Sequence, residues 1–406
     1  MHKIELLSPA GDLERLKVAF AYGADAVYMG GHALSLRAKA KNFAMDDMAT
    51  GIAHAHSLGK KVYITVNAFA RNDDFTRMDE YLLALADMQA DALIISDPGV
   101  FATARRVVPH MEIHISTQAN VTNYASVAFW RDMGASRVIL ARELSLNEIA
   151  EIAQRTSGIG LEAFVHGAMC MSYSGRCLIS NYLNGRDANR GDCCQPCRSR
   201  YALVEERGGE VFPVHEDEEG SYIMNAKDLC MVRHIPELVQ AGVTSFKIEG
   251  RMKTAYYVGA ATQTYRHAMD DYFTDPALYE SKRDYYQTQL EKVSHRHYTT
   301  GFYLGNVTGD AHNYHGDVHA HSQEFLGLVE SYDESTGRCV FTQRNKFSVG
   351  DTIEIIRAGG AGFTQVVTHM YNENGAEITS APHPQQIIQL KVDAPVAQYD
   401  LVRKSI

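Results

Sequence analysis

Short apolar runs alternate with amphipathic stretches along the first 250 residues of the chain. Each run is a few residues long, rich in Val, Ile or aromatic residues, and followed by a polar residue or a glycine. Runs of this kind are typical of strands buried on both faces of a parallel sheet. The eight runs cover residues 4–7, 26–29, 62–66, 92–96, 112–116, 137–141, 161–165 and 245–248.

Amphipathic helical patterns separate most of these runs. Clear examples are residues 12–22, 45–58 and 74–88. Glycines stand where helix C-terminal glycines are expected, at Gly23, Gly59 and Gly134. Eight strands alternating with helices predict a (β/α)8 TIM-like barrel rather than a doubly wound sheet. No G-x-G-x-x-G motif follows the first run, which counts against a dinucleotide-binding domain.

The residues directly after the runs are candidates for an active site. In barrels of this class the active site lies at the C-terminal ends of the strands. A helix cap or a solvated loop residue is an equally good interpretation of any single position. The candidates are Ser8, Pro9, Gly30, Gly31, Asn67, Asp97, Thr117, Gln118, Arg142, Glu143, His166, Glu249 and Arg251.

One connection is much longer than the others. The cysteine-rich insertion 166–243 lies between the seventh and eighth runs and holds six of the seven cysteines. Loops longer than about 12–15 residues are uncommon in compact domains and are usually functional. We therefore predict that this insertion is the catalytic loop of a barrel domain spanning residues 1–310.

A second domain is predicted at the C-terminal end of the chain. A helical region covers residues 255–293, and a histidine-rich linker follows at 311–324. From 325 to 406 the segments alternate apolar and polar residues and are separated by turns such as ESTG, SVGD and ENGA. This pattern predicts a small all-β barrel domain.

Composition indicates a globular protein, and the clustering of its cysteines favours a metal-binding or catalytic site. Hydrophobic residues make up 45% and charged residues 22% of the chain, and no apolar run approaches about 18 residues, so no membrane-spanning helix is expected. The N-terminal residues lack a signal-peptide pattern, so we expect a cytoplasmic location. Clustered cysteines in that compartment are more often metal-binding or catalytic than disulfide-bonded.

The net charge of −10 argues against indiscriminate nucleic-acid binding. It leaves room for a local basic patch within the insertion, although a solvated loop with a few arginines is an equally good interpretation. The arginines concerned are Arg176, Arg186, Arg190, Arg198 and Arg200.

The cysteine spacing favours an iron–sulfur cluster over zinc. Cys170 and Cys177 are too far apart in sequence for a zinc knuckle, whereas Cys193 and Cys197 could form one. A redox thiol, or no metal at all, is also compatible with the spacing.

A cysteine nucleophile would need a third residue to orient His166, and the sequence suggests none. No H-E-x-x-H motif is present.

Several long motifs carry a family resemblance. They are EAFVHGAMCMSYSGRCLIS at 162–180, NRGDCCQPCRSRY at 189–201, ELLSPAGDLERLKVAFAYGADAVYMGG at 5–31, YIMNAKDLC at 222–230 and FKIEGRMKTAYYV at 246–258. On these motifs the chain resembles the peptidase U32 family over residues 4–310, and the tail is similar to the β-barrel appended to many members. The doublet Cys193-Cys194 departs from the family, whose members usually have one cysteine followed by Ser or Thr.

The resemblance implies hydroxylation rather than proteolysis. The better-understood members look like oxygen-independent hydroxylation proteins. One group forms 5-hydroxyuridine at the tRNA wobble position with prephenate as the oxygen source. A second group acts on a 23S rRNA cytidine, and a third acts as a heterodimer on the ubiquinone ring with a [4Fe–4S] cluster. A barrel with a C-terminal β domain is most similar to the tRNA group.

The resemblance also implies roles for single residues. Four cysteines correspond to the cluster ligands, Cys170, Cys177, Cys193 and Cys230, and Cys197 is the substitute for Cys193. Hydroxylation without O2 requires such a cofactor. Prephenate is a dicarboxylate, so its binding site should contain cationic side chains that pair with the two carboxylates. The candidates are Arg142, Arg176, Lys247 and Arg251.

Three further residues complete the implied site. His166 is the candidate acid or base, and Glu249 would orient Arg251 or share proton transfer. Tyr173 would stack on a splayed base. The alternative for Lys247, Glu249 and Arg251 is an internal ion-pair network.

The expected partners are therefore tRNA and prephenate or a similar small carboxylate, with no membrane. A second family member or a homo-oligomer is a further expected partner. The rival functions are a protease or collagenase, 23S rRNA cytidine hydroxylation, and a non-catalytic RNA-binding or chaperone-like module with structural zinc.

Overall fold

A computed structural model describes most of the 406-residue chain. The described residues are 4–31, 34–35, 42–170, 173–174, 176–198, 203–204, 211–212, 226–305 and 322–406. Residues 311–321 of the predicted linker lie outside them, as do Arg200 and the side chain of Arg198 of the predicted basic patch.

The first domain contains twelve strands within the described residues. They are β1 (Glu5–Pro9), β2 (Ala26–Gly30), β3 (Lys61–Val66), β4 (Ala92–Ile95), β5 (Glu112–Ile115), β6 (Arg137–Ile139), β7 (Gly160–Ala168), β8 (Leu203–Val204), β9 (Val211–Phe212), β10 (Asp228–Cys230), β11 (Ser245–Ile248) and β12 (Tyr298–Thr299).

Eight of these strands form a closed parallel barrel. Strands β1 to β7 pair in sequence order, and β11 closes the barrel by pairing with both β7 and β1. The strand interiors are almost wholly buried, as expected for strands covered on both faces. The eight runs of the sequence correspond to these eight strands, so the predicted TIM-like barrel is confirmed.

Eleven α-helices are described, most of them around the barrel. They are α1 (Leu13–Ala21), α2 (Met45–Ser57), α3 (Met78–Asp87), α4 (Pro98–Val107), α5 (Tyr124–Asp132), α6 (Leu146–Arg155), α7 (Ile179–Asn184), α8 (Ile235–Gln240), α9 (Ala255–Thr274), α10 (Pro276–Ser281) and α11 (Arg283–Glu291). None of the described helices has the length and hydropathy needed to cross a bilayer.

Local sequence explains several helix ends. Asp12 and Ser145 accept hydrogen bonds from backbone N–H groups three residues on, and Gly23 follows α1 with φ of +100°. The pattern at 74–88 forms a helix only from Met78. The preceding turn is a 3-10 helix because the carboxylate of Asp74 accepts the N–H of Arg71 (2.7 Å) and pairs with Arg190 of the insertion (2.8 Å).

The insertion leaves and re-enters the barrel beside β7. Strand β10 runs antiparallel to β7, with Cys230 opposite His166, and β12 pairs with β10. Gly167 lies in β7 with φ of +106°, and a Cβ atom there would lie 2.5 Å from the backbone oxygen of Glu249. Glycine therefore lets β7 and β11 approach where their register shifts.

The C-terminal domain is all-β, as predicted, and its strands pair antiparallel. Its strands are β13 (Gln323–Asp333), β14 (Arg338–Thr342), β15 (Phe347–Ser348), β16 (Thr352–Ile356), β17 (Phe363–Val366), β18 (Met370–Asn372), β19 (Glu377–Ile378), β20 (Ser380–Ala381), β21 (Ile387–Lys391) and β22 (Leu401–Ser405). Eight of them are ordered β17-β16-β22-β13-β14-β21-β18-β19.

The two domains share part of one core. Leu328, Ile356 and Leu401 of the second domain pack into the main hydrophobic cluster of the barrel, whereas the rest of the β domain has its own cluster. Burial of apolar side chains across the junction fixes the β domain against the outside of the barrel.

Candidate active site

A cavity of about 330 Å³ lies at the C-terminal ends of the barrel strands. Its wall combines side chains from the strands with side chains from the insertion. The polar and charged residues that line it include Thr65, Asn67, Ser116, Thr117, Gln118, Arg142, Arg186, Asn189, Lys247, Glu249 and Arg251. The barrel face expected to hold the site is therefore the face with this cavity.

Lys247 lies on β11 and is held by a buried carboxylate. Its Nζ atom donates a 2.7 Å hydrogen bond to Oε1 of Glu162 and lies 4.5 Å from the centre of the Tyr28 ring. Burial lowers the pKa of the Lys247 ammonium. Burial also opposes ionisation of Glu162, but Lys247 and Arg137 outweigh it and hold the pKa of Glu162 at about 2.

Arg251 follows β11 and is buried. Its Nη1 atom donates to the hydroxyls of Ser35 (2.8 Å) and Thr65 (2.9 Å). Gly30 lies beside this guanidinium, because a Cβ atom at position 30 would collide with Nη1 of Arg251 and Oγ of Ser35. The missing side chain at Gly30 thus makes room for Arg251.

Arg142 and Glu143 connect β6 with the start of the insertion. Nη1 of Arg142 donates to the backbone oxygen of Ala168 (3.1 Å), and its guanidinium lies over the Phe164 ring. The carboxylate of Glu143 accepts both the N–H and the hydroxyl of Ser174 at 2.7 Å. These contacts tie the insertion to the mouth of the barrel.

Arg176 and Tyr173 lie on the rim, outside the cavity lining. Nε of Arg176 donates to Oδ1 of Asn120 (2.7 Å), and its guanidinium lies over the Phe69 ring at 5.0 Å. The side chain of Tyr173 is 52% exposed.

Four cysteines of the insertion line the cavity: Cys170, Cys177, Cys193 and Cys197. Asn189 holds the segment of Cys177, since its side chain accepts the N–H of Cys177 (3.3 Å) and donates to its carbonyl (3.0 Å). Among the described residues, no three His, Cys, Asp or Glu side chains are close enough together to hold a metal ion as they stand. The four thiols therefore share one cavity without converging on one point.

The structure separates the members of the Cys193-Cys194 doublet. Cys193 faces the cavity, whereas the Sγ atom of Cys194 lies 3.1 Å from the hydroxyl of Ser180, and that hydroxyl also accepts the N–H of Cys194. Cys194 thus anchors the loop on helix α7.

Cys230 is not part of the cavity lining. Its Sγ atom donates to Oε1 of Gln287 (3.5 Å), and burial raises the pKa of its thiol to about 12. In the pairing of β10 with β7, Cys230 lies opposite His166, which precedes Cys170 by four residues in the chain. The other three implied ligands line the cavity, and Cys230 does not.

His166 is likewise buried behind the cavity rather than in it. Its ring packs against Tyr257, Tyr265 and Tyr298, with ring centres 5.4 to 5.8 Å away. Neither ring nitrogen has a hydrogen-bond partner among the described residues, and burial lowers the pKa of His166 to about 3. The imidazole is therefore neutral across the physiological pH range. Glu249, by contrast, lines the cavity.

Three lining residues had no clear signal in the sequence. Tyr28 and Thr65 lie inside predicted strands, and only the closed barrel shows that they point towards the cavity. Asn189 stands in a loop, and its two bonds to Cys177 became evident only from the fold. Arg186 belonged to the predicted basic patch and pairs with Asp192 (2.8 Å).

Known proteins resemble the chain over both domains. Residues 11–313 match the description "Peptidase family U32", and residues 321–403 match "Peptidase family U32 C-terminal domain". The tRNA hydroxylation protein P1 of Bacillus subtilis is 39% identical over 402 residues, which cover 99% of this chain and 95% of that protein.

Two relatives from Escherichia coli extend the comparison. The tRNA hydroxylation protein P is 40% identical, with coverage of 94% of this chain and 92% of the relative. A 23S rRNA 5-hydroxycytidine synthase is 35% identical over 80% of this chain, but the match spans 48% of that protein. The chain therefore belongs to the peptidase U32 family.

Proposed function

We propose that this protein hydroxylates a pyrimidine of RNA without O2, and that its product is 5-hydroxyuridine at the wobble position of tRNA. The observation that carries the proposal is a single cavity at the barrel mouth lined by four thiols and by Arg142, Lys247 and Arg251. The near full-length similarity to proteins named for tRNA hydroxylation supports the substrate class. A tRNA substrate agrees with the expected cytoplasmic location.

A [4Fe–4S] cluster is proposed to be the cofactor, and the chemistry of the donor set fits it. Four soft thiolates are the usual ligands of such a cluster. We assign the ligands to the four thiols that line the cavity, Cys170, Cys177, Cys193 and Cys197. Cys197 replaces Cys230 in this assignment, because Cys230 is buried on β10 away from the cavity.

Prephenate is proposed as the oxygen source. Its two carboxylates require cations in a confined volume, and arginine side chains bind carboxylates in a bidentate manner. Arg142 and Arg251 line the cavity together with Lys247, and a cavity of about 330 Å³ is at the small end of the range for small-molecule sites. Glu249 lines the same cavity and is our candidate for holding or moving a proton.

The RNA is proposed to approach over the rim. A pyrimidine must leave its stack before enzyme groups can reach C5. The exposed ring of Tyr173 offers a stacking face, and Arg176 adds a cation at the same edge. Burial of the reacting atoms in the cavity would exclude bulk water. The bound cluster would supply the electron transfer that protein side chains lack.

Analysis of tRNA nucleosides tests the function. Deletion of the gene should abolish 5-hydroxyuridine in bulk tRNA, and expression of the intact chain should restore it, as measured by liquid chromatography and mass spectrometry. Unchanged 5-hydroxyuridine in the deletion strain would overturn the proposal. Loss of 5-hydroxycytidine from 23S rRNA instead would reassign the substrate to rRNA.

Iron and sulfide analysis under anaerobic conditions tests the ligand assignment. Cys170→Ser, Cys177→Ser, Cys193→Ser and Cys197→Ser should each lower the iron content and the visible absorption of the cluster. Cys194→Ser and Cys230→Ser are the matched controls, since neither side chain lines the cavity. Loss of iron in Cys230→Ser with retention in Cys197→Ser would favour the ligand set implied by the motif resemblance. One zinc per chain without iron would contradict the cluster.

A further inference from the structure

We propose that Lys247 is an amine nucleophile that binds a 2-oxo acid covalently as a Schiff base. Lys247 lies near the C-terminal end of β11 and lines the cavity, where a small substrate would be held. Its position at the catalytic end of a barrel strand gives the amine access to a bound carbonyl compound.

The surroundings of Lys247 favour both species that the reaction needs, the neutral amine that attacks the carbonyl and the protonated Schiff base that results. The ammonium is buried between the rings of Tyr28 (4.5 Å) and Phe164 (5.5 Å), and burial lowers its pKa. Desolvation therefore raises the fraction of free amine. A protonated Schiff base carries the same positive charge, so Glu162 and the two aromatic faces would stabilise it in place of the ammonium.

The other cations of the cavity define the class of substrate. Arg142 and Arg251 line the same cavity and are suited to a carboxylate. A lysine amine together with guanidinium groups fits a molecule whose carbonyl is adjacent to a carboxylate, which is a 2-oxo acid. The apolar faces of Tyr28, Phe164 and Met252 leave room for an organic substituent on that carbonyl.

The reaction requires no oxidant or reductant. The ammonium first releases a proton to solvent. The neutral amine then adds to the keto carbon: a C–N bond forms as the C=O π bond breaks, and one proton passes from the nitrogen to the keto oxygen to give a neutral carbinolamine. Protonation of this hydroxyl expels water, and the nitrogen lone pair forms the C=N bond. The product is an iminium ion, and one water molecule is released.

This inference deepens the proposed function and rests on it only for the identity of the natural co-substrate. Prephenate carries a 2-oxo acid side chain and would qualify. The chemistry at Lys247 is nevertheless testable without RNA, cluster turnover or prephenate.

Reductive trapping tests the inference. The full-length protein is incubated with pyruvate or phenylpyruvate and cyanoborohydride, digested and mapped by mass spectrometry. The peptide that contains Lys247 should carry the reduced adduct, and propionate, which lacks a keto group, should give none. An unmodified Lys247 peptide, or labelling spread evenly over the lysines, would overturn the inference.

Two variants sharpen the result. Lys247→Arg keeps a cation beside Glu162 but cannot form an imine, so its adduct should fall to background. Lys253→Arg is the matched control, because Lys253 is nearby in sequence and does not line the cavity, and it should be labelled like the wild type. Trapping by the wild type in a chain that fails to hydroxylate RNA would retain this inference and reject the proposed function. A chain that hydroxylates RNA but shows no trapped adduct at Lys247 would retain the proposed function and reject this inference.

Discussion

At the scale of single residues, the barrel places two basic side chains on adjacent strands in different electrostatic surroundings. His166 on β7 and Lys247 on β11 lie on paired strands, and both are buried. Lys247 has the carboxylate of Glu162 at 2.7 Å, whereas the His166 ring packs against tyrosine rings and neither of its nitrogens has a hydrogen-bond partner among the described residues. His166 is therefore neutral. If it acts as the predicted acid or base, it does so from the neutral form of the imidazole.

Burial of neutral His166 should make stability depend on pH. The unfolded chain binds a proton at this residue below about pH 6.5, whereas the folded protein does not until the pH approaches about 3. The stability contribution is fully present above pH 6.5 and falls on acidification, at about 1.4 kcal/mol per pH unit between those values. Urea denaturation of the wild type and His166→Phe should show this difference in slope. The exposed His369→Phe is the control, and parallel curves for wild type and His166→Phe would contradict the expectation.

Gly30 should control binding through Arg251. A methyl group at position 30 would collide with Nη1 of Arg251 and come within 2.8 Å of Oγ1 of Thr65. We expect Gly30→Ala to displace the guanidinium, to cost about 1–3 kcal/mol of stability, and to weaken carboxylate binding in a calorimetric titration. Gly359→Ala, where a Cβ atom meets no atom within 4 Å, should bind normally. Equal affinities would show that Arg251 does not bind the carboxylate.

At the scale of elements, the insertion is held at both of its ends. Glu143 and Asp74 fix its first half through Ser174 and Arg190. Strand β10 fixes its exit and pairs with β12, and Asp228 of β10 forms a buried ion pair with Arg296, which lies two residues before β12; both side chains are 2% exposed. The cysteines thus lie in a segment tied to the barrel by charged and hydrogen-bonded contacts.

Removal of one partner of that buried pair should be costly. Asp228→Asn leaves the Arg296 guanidinium buried without its counter-ion, and breaking such a pair typically costs about 3–5 kcal/mol. The midpoint of urea denaturation should fall accordingly. The double variant Asp228→Asn with Arg296→Met should recover part of the loss. Glu80→Gln removes an exposed pair with Arg77 and should leave the midpoint unchanged.

At the scale of the whole molecule, a few polar contacts complete the apolar junction between the domains. The hydroxyl of Tyr22 donates to the backbone oxygen of Ile356 (2.8 Å) and accepts the N–H of Leu401 (3.1 Å). Arg403 of β22 donates to Glu354 on β16 and to the hydroxyl of Tyr256 on α9. These bonds, together with the shared apolar cluster, couple the folding of the two domains.

Loss of the Tyr22 hydroxyl should weaken this coupling. Tyr22→Phe leaves a buried carbonyl and a buried N–H without their partner, at a cost of about 1–3 kcal/mol. Calorimetry should show a lower melting temperature and a broader or divided transition. Tyr285→Phe, on an exposed ring, should melt like the wild type. An unchanged transition for Tyr22→Phe would mean that apolar packing alone couples the domains.

The sequence by itself determined the barrel, the all-β domain and the face that holds the cavity. Strand runs, helix caps and C-terminal glycines are local signals, because backbone propensity and burial on both faces act over a few residues. The motifs likewise fixed Cys170, Cys177 and Cys193 as neighbours of a site. The same local character explains why Asn67, Gln118, Arg142 and Glu249 were found as residues following strands.

Only the tertiary structure decided which of these residues meet. The motifs implied Cys230 as a ligand and Cys197 as the substitute for Cys193, but the antiparallel return of β10 buries Cys230 beside His166, whereas Cys197 lines the cavity together with Cys193. His166 follows a barrel strand by pattern, yet the extension of β7 and the tyrosines of α9 enclose it. Burial and side-chain direction at these positions depend on contacts between segments far apart in sequence, and no local pattern encodes them.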